Sequence, residues 1–396
     1  MTTQQLDRRT FLARSGSAAV GLGGAGGWVA PDRNDRHGRH DRIPVHVGYA
    51  TTRAYRAATG AASRTLRDHA FDAVTVRLDA AEIDRLRRHP GVRYVERVRP
   101  VVALGERRTP VDAGEGTGAR DENTADPLSG GIDRVDAELV HEEATGEGVD
   151  VAVVDTGVAD GHQALAHALA DGEAVVRAGL LHFPGWDDDD GHGTHCAGTV
   201  AARSAAGDGV APDATLHAVK VLNGRGVGTT DDVAVGIERV AARGWDVACL
   251  AFGTDESALL SDAVDHAAEA GVSLVAAVGT RGPTAPASHD ACLAVGGAAP
   301  DGTPAAFTPS GVVDLLAPGV DVRSTVPGGY DRISGSSMAC AHAVGALALL
   351  RGDGYDAPSA RERLLDTAED LGLDTSAQGA GLLDVAAALG VASDDD

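Results

Sequence analysis

The chain has almost no lysine and few aromatic side chains. Of its 34 basic residues only Lys220 is a lysine, and aromatic residues make up 3% of the 396 residues. Acidic residues number 58, which gives a net charge of −24. A protein that binds nucleic acid needs a basic face, so this composition argues against that class. It predicts instead a protein that is soluble at high salt, where screening weakens the repulsion between carboxylates.

Long apolar runs and early cysteines are also missing. No purely apolar run reaches the ~18 residues of a membrane-spanning helix, so no membrane anchor is expected. None of the cysteines forms a CxxC pair, and we expect buried free thiols, although their spacing leaves a disulfide open. No cysteine precedes Cys196, which argues against a lipid anchor after a signal peptide. The four are Cys196, Cys249, Cys292 and Cys340.

The N-terminus has the pattern of an export signal. RRTFL at 8–12 precedes a run rich in glycine and alanine that ends at Ala30. A twin arginine before a weakly apolar stretch is typical of a Tat signal peptide, although such a pair also arises by chance. We therefore predict a Tat signal at 1–30 and a secreted protein.

Composition divides the rest of the chain into five parts. A His/Arg/Asp-rich linker is predicted at 31–43, and a compact unit at 44–102 alternates strand patterns with a helix that begins after Asp79. An acidic linker with a processing region follows at 103–130. Residues 131–390 alternate short apolar strands with alanine-rich helices, which predicts an α/β domain with a parallel sheet. A short acidic tail is expected at 391–396.

Three motifs carry candidate chemistry. VDVAVVDTGV (149–158) reads as a strand that brings Asp155 to the carboxyl edge of a sheet, where α/β folds place their ligands. GHGTHCAGTVAA opens a helix at His192, and SGSSMACAHAV places Ser337 in the first turn of another. A serine there is more often a simple cap. The order Asp155, His192, Ser337 nevertheless matches one known chain order of a Ser-His-Asp triad.

Two other hydrolase mechanisms fit parts of the sequence. DTG also occurs in aspartic proteases, but these need a second carboxylate in a matching turn, and no such turn occurs. His192 and His195, with Asp187 to Asp190 before them, have the residue types of a zinc site. That spacing is weak evidence, because the four aspartates equally fit a solvated loop. Chelator-sensitive activity that survives Ser337→Ala would identify the metal mechanism.

Six ordered blocks over some 260 residues resemble the subtilases, the peptidase S8 family of subtilisin-like serine proteases. The acidic composition is similar to the haloarchaeal halolysin-like type. The resemblance implies a doubly wound, mostly parallel sheet with helices on both faces. It also implies that 44–102 is a small α+β, ferredoxin-like inhibitory propeptide. The blocks are VAVVDTG, HGTHCAGTVAA, GVAPDATLHAVKVL, the strand at 249–253, LLAPGVDV and GSSMA, and GAGLLDVAAAL matches the end of such domains.

The resemblance assigns roles to individual residues. Ser337 is the nucleophile, His192 the general base and then acid, and Asp155 the group that orients the imidazole. Two extended segments are expected to hold the substrate as an added strand, and a third to line the P1 pocket, narrowed by its last residue. These segments are Leu222, Asn223 and Gly224; Ala251, Phe252 and Gly253; and Ala276, Ala277 and Val278. Ala285-Pro286 falls where the family has a cis proline.

The sequence departs from the family at the oxyanion position. Where subtilases usually have an asparagine whose amide donates to the oxyanion, this chain has Thr280, beside the backbone N–H of Ser337. The threonine hydroxyl reaches roughly one bond less far, and loss of one such donor costs about 10²–10³ in kcat in a subtilisin. A bound water or Arg281 could fill the gap. The changes at 251–253 and at Cys340-Ala341 alter the cleft without removing a catalytic group.

Two functions of different classes follow from this resemblance. The first is an exported serine endopeptidase, made as a precursor whose propeptide acts as intramolecular chaperone and inhibitor. The second is a catalytically weak or inactive subtilase that binds peptides or a partner protein. We expect a monomer that needs no cofactor. The short loop at 203–209 lacks the family's strong calcium pattern, although a weaker calcium site elsewhere stays possible.

Overall fold

The computed structural model describes residues 42–107, 130–176, 185–205, 207–280 and 284–393. The predicted signal peptide, most of both linkers, the tail end at 394–396 and Arg281 lie outside these residues. The described chain forms two compact units, one containing residues up to 68 and 74–97, the other 69–73 and 98–396. The predicted domain limits place residues 98–102 with the first unit. The main-chain contacts of these residues place them with the second unit.

The first unit is a four-stranded sheet with two helices. Its order along the chain is β1 (Ile43–Tyr49), α1 (Thr52–Ala61), β2 (Arg64–Asp68), β3 (Ala73–Leu78), α2 (Ala80–Arg87) and β4 (Val92–Arg97). The strand order β2-β3-β1-β4, with β1 antiparallel to β4 and β2 to β3, is that of a ferredoxin-like fold. Asp79 begins α2 as expected, because its carboxylate and that of Glu82 form a reciprocal capping box.

The second unit is built on a parallel sheet of seven strands in the order β17-β16-β15-β13-β7-β11-β8. All six neighbouring pairs run parallel, as expected for the α/β fold implied by the sequence. Most of its strands are apolar on both faces because helices cover them. The strands are β7 (Asp150–Asp155), β8 (Leu169–Ala174), β11 (Thr215–Lys220), β13 (Val247–Leu250), β15 (Ser273–Ala277), β16 (Cys292–Ala298) and β17 (Leu315–Pro318).

Three smaller sheets complete this unit. One has the order β12-β5-β14, another β18-β19-β6, and the third pairs β9 with β10. The first two include chain from before the catalytic motifs. Their strands are β5 (Pro100–Ala103), β6 (Glu106–Arg107), β9 (Arg203–Ser204), β10 (Gly207–Asp208), β12 (Val227–Thr229), β14 (Phe252–Gly253), β18 (Val322–Val326) and β19 (Gly329–Ser334).

The two most completely buried helices of the second unit, α4 (His192–Ala201) and α7 (Ser336–Gly352), lie against each other, and α7 also packs on the sheet. Helix α7 is almost wholly buried and packs on α4 and on β13, β15 and β16, while α5 packs on α6. None of the described helices is long and apolar enough to cross a membrane. The helices are α3 (Gly130–Asp133), α4 (His192–Ala201), α5 (Thr230–Arg243), α6 (Ala258–Glu269), α7 (Ser336–Gly352), α8 (Ala357–Asp366), α9 (Thr375–Gln378) and α10 (Val385–Leu389), with a 3-10 turn at Glu138–Val140.

Candidate active site

Asp155 is the last residue of β7 and is fully buried at the carboxyl edge of the parallel sheet. The apolar run before it forms the strand, so the carboxylate is held by a rigid element. Its Oδ1 accepts a hydrogen bond from the main-chain N–H of Thr156 at 2.7 Å. A buried carboxylate needs such partners, because desolvation penalises an unpaired charge.

His192 is the first residue of α4, and the acidic run before it builds the start of that helix. Asp188 accepts main-chain N–H bonds from Asp190 and Gly191 through Oδ1, and from Thr194 through Oδ2. The Thr194 hydroxyl also donates to Oδ2 at 2.6 Å. Gly191 has φ +106°, a conformation that favours glycine. Part of the aspartate run is therefore a helix cap rather than a solvated loop.

His192 and Asp155 form a buried hydrogen-bonded pair. The Nδ1 atom of His192 lies 2.8 Å from Oδ1 and 3.0 Å from Oδ2 of Asp155. Burial lowers the pKa of His192, but the Asp155 carboxylate, helped by Asp190 and Asp188, outweighs burial and raises it. The carboxylate thus stabilises the imidazolium and fixes Nδ1 as the protonated nitrogen, which leaves Nε2 free to accept a proton.

Ser337 lies in the first turn of α7 and is completely buried. Its Oγ donates to the carbonyl oxygen of Leu104 at 2.6 Å and to that of Ala251 at 3.0 Å. Its main-chain N–H points at the same Leu104 oxygen, at 3.3 Å. A Cβ on Gly335 would lie 2.5 Å from that oxygen, so a residue without a side chain is required beside Leu104. The hydroxyl and N–H of Ser337 therefore both converge on one peptide carbonyl.

That carbonyl belongs to a segment of this chain bound as an added strand. Strand β5 lies between β12 and β14 and is antiparallel to both. The Ala103 N–H donates to Gly226 O at 2.9 Å, and the Leu104 N–H to Ala251 O at 3.2 Å. Main-chain pairing of this kind binds a peptide without regard to most of its side chains.

The peptide bond between Leu104 and Gly105 lies among the three candidate catalytic residues. A Cβ on Gly105 would stand 3.1 Å from Nε2 of His192, so the nitrogen side of this bond faces the imidazole. The carbonyl side rests on Ser337. Beyond it, Glu106 and Arg107 pair with β19. The residues before this peptide bond thus pair with β12 and β14, and the residues after it pair with β19.

One predicted substrate-binding strand lies elsewhere. The sequence predicts it at 222–224, whereas the strand that pairs with β5 is β12, Val227–Thr229. The reason is a tight turn at Asn223, whose Oδ1 accepts main-chain N–H bonds from Arg225 and Val227. An asparagine side chain that mimics the backbone in this way reverses the chain. The other predicted strand does pair with β5, through Phe252 and Gly253.

Thr284 is a pocket residue that sequence reasoning missed. A Cβ on Gly253 would lie 3.0 Å from Cδ1 of Leu104 and 3.2 Å from Oγ1 of Thr284. A Cβ on Gly279 would lie 3.2 Å from the same Oγ1 and 3.7 Å from Leu104 Cδ1. The Leu104 side chain and the Thr284 hydroxyl are therefore both close to Gly253 and Gly279. The roles of Ala276, Ala277 and Val278 in this pocket stay predictions.

We expect Thr284→Gly to change the size of side chain accepted at P1. Removing three heavy atoms beside Leu104 makes room for an aromatic ring, and a difference of this size in an apolar pocket is worth about 10–200-fold in discrimination. The measurement is the ratio of kcat/KM for matched peptides with phenylalanine or leucine at P1. The ratio should rise in Thr284→Gly and stay unchanged in Thr303→Gly, which alters an exposed turn. An unchanged ratio in Thr284→Gly would mean that the pocket is closed elsewhere.

Thr280 follows Gly279, and its side chain is exposed. Among the described residues, the hydrogen bonds to the Leu104 oxygen come from the hydroxyl and N–H of Ser337. Residues 281–283, including Arg281, lie outside the described part of the chain. The oxyanion role of Thr280 therefore stays a prediction.

His195 does not join His192 in a shared ligand group. Its Nε2 bonds to the Val322 carbonyl oxygen at 2.9 Å, and burial lowers its pKa to about 3. The ligand atoms that do lie within 4.8 Å of one another are those of His192, Asp155 and Cys196. The His192/His195 pair of the metal hypothesis thus lacks the geometry of a joint site.

The single lysine is buried behind the site. Lys220 is the last residue of β11, and its main chain lies opposite that of Asp155 in the neighbouring strand β7. Its side chain is 1% exposed, and Nζ donates to the Thr156 carbonyl and, at 2.5 Å, to Asp189. Two oxygen partners satisfy the charge, which would otherwise be costly in this position.

Comparison with known proteins gives consistent matches. A profile described as the subtilase family matches residues 146–382, more than half of the chain. An alkaline protease of Alkalihalobacillus alcalophilus is 35% identical over 337 residues, covering 81% of this chain and 80% of its own. Subtilisin Savinase of Lederbergia lenta is 39% identical over 272 residues, covering 65% of this chain and 97% of its own.

Proposed function

This chain belongs to the subtilase family and is a serine endopeptidase, and from that premise we propose that it is made as an inhibited precursor that cuts its own Leu104–Gly105 bond. The observation that carries the proposal is the hydrogen bond of 2.6 Å from Ser337 Oγ to the Leu104 carbonyl oxygen, with β5 paired in the cleft. Leu104 then supplies the P1 side chain and Gly105 the leaving amine.

The acylation step uses the groups that surround this bond. Ser337 Oγ attacks the Leu104 carbonyl carbon and passes its proton to Nε2 of His192, which has no hydrogen-bond partner among the described residues. In the arrangement described, the hydroxyl donates to two carbonyl oxygens, so it must turn towards the imidazole before it attacks. Asp155 stabilises the imidazolium, and the Ser337 N–H donates to the developing oxyanion.

Collapse of the tetrahedral intermediate breaks the Leu104–Gly105 bond. His192 returns its proton to the Gly105 nitrogen, whose residue lies against Nε2. Water then attacks the acyl-enzyme with His192 again as base, which frees Ser337 and leaves a carboxylate at Leu104. The same steps apply to other polypeptides that replace β5 between β12 and β14. None of them needs a cofactor.

The segment preceding the bond indicates which substrates fit. Val101 is completely buried, whereas Val102 is 44% exposed, so alternate side chains meet protein and solvent. A cavity of about 220 Å³ beside Ala103 and Gly105, lined in part by His192 and Arg225, leaves room for a larger residue than alanine. We propose substrates with an apolar residue at P4, a medium-sized apolar residue at P1 and little constraint at P3.

Export and inhibition complete the proposal. The twin arginine at 8–9 and the apolar run after it support a Tat signal and a secreted enzyme, which we propose acts as a monomer. Residues 44–102 would act as chaperone and inhibitor, and Val101, Ala103 and Leu104 would stay in the cleft after cleavage. A strong calcium site at the 203–209 hairpin is not proposed, because Arg203 pairs with Asp208 at 4.0 Å and with Asp213 at 2.9 Å.

A fluorophosphonate probe tests this function directly. We expect the purified, processed protein to be labelled in about 3 M salt, where the acidic surface is screened, and the N-terminus of the labelled chain to be Gly105. Labelling should be absent in Ser337→Ala. An unlabelled, uncut wild-type chain would favour the second hypothesis, a weak or inactive subtilase that binds peptides. A labelled chain that begins at another residue would support the serine peptidase activity but contradict cleavage at Leu104–Gly105.

The turn between β2 and β3 carries a buried histidine that responds to pH. His69 Nδ1 lies 2.6 Å from Glu238 Oε1, and its Nε2 lies 3.6 Å from Asp231 Oδ1, both on α5. Phe71 stacks on His69 and also contacts His266 of α6. Burial lowers the pKa of His69, but hydrogen bonds to Asp231 and Glu238 outweigh it and raise the pKa to about 9.

We expect this turn to loosen at alkaline pH. A folded pKa raised from 6.5 to about 9 stabilises the attached turn fully below pH 6.5, and the contribution is lost as pH rises through about 9. The measurement is the hydrogen-exchange protection of 69–73 in uncut Ser337→Ala protein, corrected for intrinsic exchange rates. Protection should fall with rising pH, and His69→Gln should make it low at every pH. Equal profiles for the two proteins would contradict the assignment.

A further inference from the structure

Lys220 links the two segments that carry Asp155 and His192. Its side chain is 1% exposed, at the carboxyl end of β11. Nζ donates to the carbonyl oxygen of Thr156, the residue after Asp155. At 2.5 Å it also donates to Oδ1 of Asp189, three residues before His192. One buried ammonium therefore joins the turn after β7 to the acidic run before α4.

Thr156 contacts both of these segments as well. Its main-chain N–H donates to Oδ1 of Asp155 at 2.7 Å. Its Oγ1 accepts from the N–H of Gly193, the residue after His192, at 2.9 Å. The bond from Lys220 holds the carbonyl side of the same residue. A displacement of Thr156 would therefore move the Asp155 carboxylate and the first turn of α4 relative to each other.

Asp189 lies between the ammonium and the turn that precedes β12. A Cβ on Gly224 would lie 2.8 Å from Oδ2 of Asp189 and 3.1 Å from its carbonyl oxygen, so no side chain fits between them. The Asp189 side chain is 46% exposed, and a carboxylate in contact with water is negatively charged at neutral pH. The ammonium cancels this charge across one charge-assisted hydrogen bond.

The charge of Asp189 matters because His192 already lies among carboxylates. Burial lowers the pKa of His192, but Asp155 first, and then Asp190 and Asp188, raise it above its ordinary value. A further uncompensated carboxylate in this run would raise it again, and less of the imidazole would be neutral at pH 7. The ionisable groups around His192 are Asp155 on β7; Asp188, Asp189 and Asp190 before α4; His195 and Cys196 on α4; Cys249 on β13; and Arg225 at the cavity of the substrate cleft.

We propose that Lys220 is a positioning residue for the peptidase reaction: it holds Asp189 on the Thr156 turn and cancels its charge, so that His192 stays available as a neutral base. This role rests on the proposed function of His192 as general base. A compact ammonium suits a site with two oxygen acceptors and almost no contact with water, whereas the planar guanidinium of arginine presents five donors. The difference fits the use of lysine here, in a chain where every other basic residue is arginine.

The first test is the pH dependence of kcat/KM for Lys220→Met, which keeps the length of the side chain and removes its charge. The acid limb of this profile reports the base of the free enzyme. We expect the limb to move up by roughly 0.5–1 pH unit, a loss of about 3–10-fold at pH values below it. Lys220→Arg keeps the charge and should leave the limb near its wild-type position. Adding Asp189→Asn to Lys220→Met removes the uncompensated carboxylate and should move the limb back.

Arg351→Met is the matched control for the loss of a partly buried ion pair. Arg351 lies 3.0 Å from Asp246, which precedes β13 at the edge of the sheet opposite the one that carries Asp155. This variant should keep the wild-type acid limb. A limb that stays in place in Lys220→Met, or that moves equally in Arg351→Met, would overturn the proposal, because the effect would then not come from the charge of Lys220.

Titration of the His192 ring by NMR in uncut Ser337→Ala protein needs no activity. The ring signal is assigned by its absence when His192→Gln is added. Its pKa should rise on adding Lys220→Met and fall on adding Asp189→Asn, a half-exposed position where the substitution should not prevent folding. If Lys220→Met does not fold, Asp189→Asn decides alone, and an unchanged His192 pKa there would overturn the proposal. The expected shifts in a chain that the fluorophosphonate probe does not label would reject the peptidase function and support the charge assignment.

Discussion

Ser337→Ala is expected to leave the chain uncut at Leu104–Gly105, whereas the unsubstituted protein should be fully cleaved there. The substitution removes the oxygen that lies 2.6 Å from the Leu104 carbonyl oxygen but keeps the main-chain pairing of β5 with β12 and β14. Loss of the nucleophile in a subtilisin costs about 10⁶ in kcat, and we transfer that magnitude here. The precursor should therefore accumulate in folded form.

Intact mass and N-terminal sequencing measure this outcome. Wild-type protein should give a chain that begins at Gly105, and Ser337→Ala a single mass for the precursor. Ser334→Ala is the matched control, because its hydroxyl accepts from the Asp321 N–H and does not reach the Leu104 carbonyl. It should be cleaved like wild type. Cleavage at the same bond in Ser337→Ala would show that another protease, and not this triad, makes the cut.

Thr280→Asn should raise kcat with little change in KM. An asparagine amide reaches further than a threonine hydroxyl, and the described donors to the Leu104 oxygen both come from Ser337. A second donor acts mainly on the oxyanion of the transition state, so the gain appears in kcat rather than in KM. The full value of one such donor in a subtilisin is about 10²–10³, which sets the upper limit.

Steady-state kinetics on one peptide substrate checks this expectation, with Thr280→Val as the partner variant. If the threonine hydroxyl already donates, Thr280→Val should lower kcat, and the gain from asparagine should be small. If it does not, Thr280→Val should match wild type while asparagine gives a large gain. A kcat that falls or stays unchanged in Thr280→Asn would mean that another group completes the oxyanion hole.

The triad could be predicted from sequence because each member lies in a contiguous block with its own local structure. Asp155 ends an apolar strand, His192 begins an apolar helix after Gly191, and Ser337 is the second residue of an apolar helix that follows Gly335. The parallel sheet also follows from the fold that these blocks imply. Local patterns of this kind predict structure correctly because the ends of strands and helices are set by nearby residues.

Other parts of the site depend on contacts that sequence spacing does not encode. The bond at Leu104 is recognised only when β5 is seen between β12 and β14. The sequence predicts a strand at 222–224 rather than at β12, because the turn that the Asn223 side chain makes is not encoded in residue spacing. Thr284 lies outside the segment predicted to line the P1 pocket, and its position near Leu104 depends on contacts between segments that are distant in sequence.

The burial of Lys220 determines which amine of this protein can react with amine-directed reagents. It is the only side-chain amine in 396 residues, and it is 1% exposed, with Asp189 and the Thr156 carbonyl as partners. Acylating esters, aldehyde cross-linkers and reducing sugars will therefore react at the α-amino group alone. After the proposed cleavage that group belongs to Gly105. A fluorophore or surface linkage introduced through amines would then sit at one defined position of the mature enzyme, and glycation would leave its folded surface unchanged.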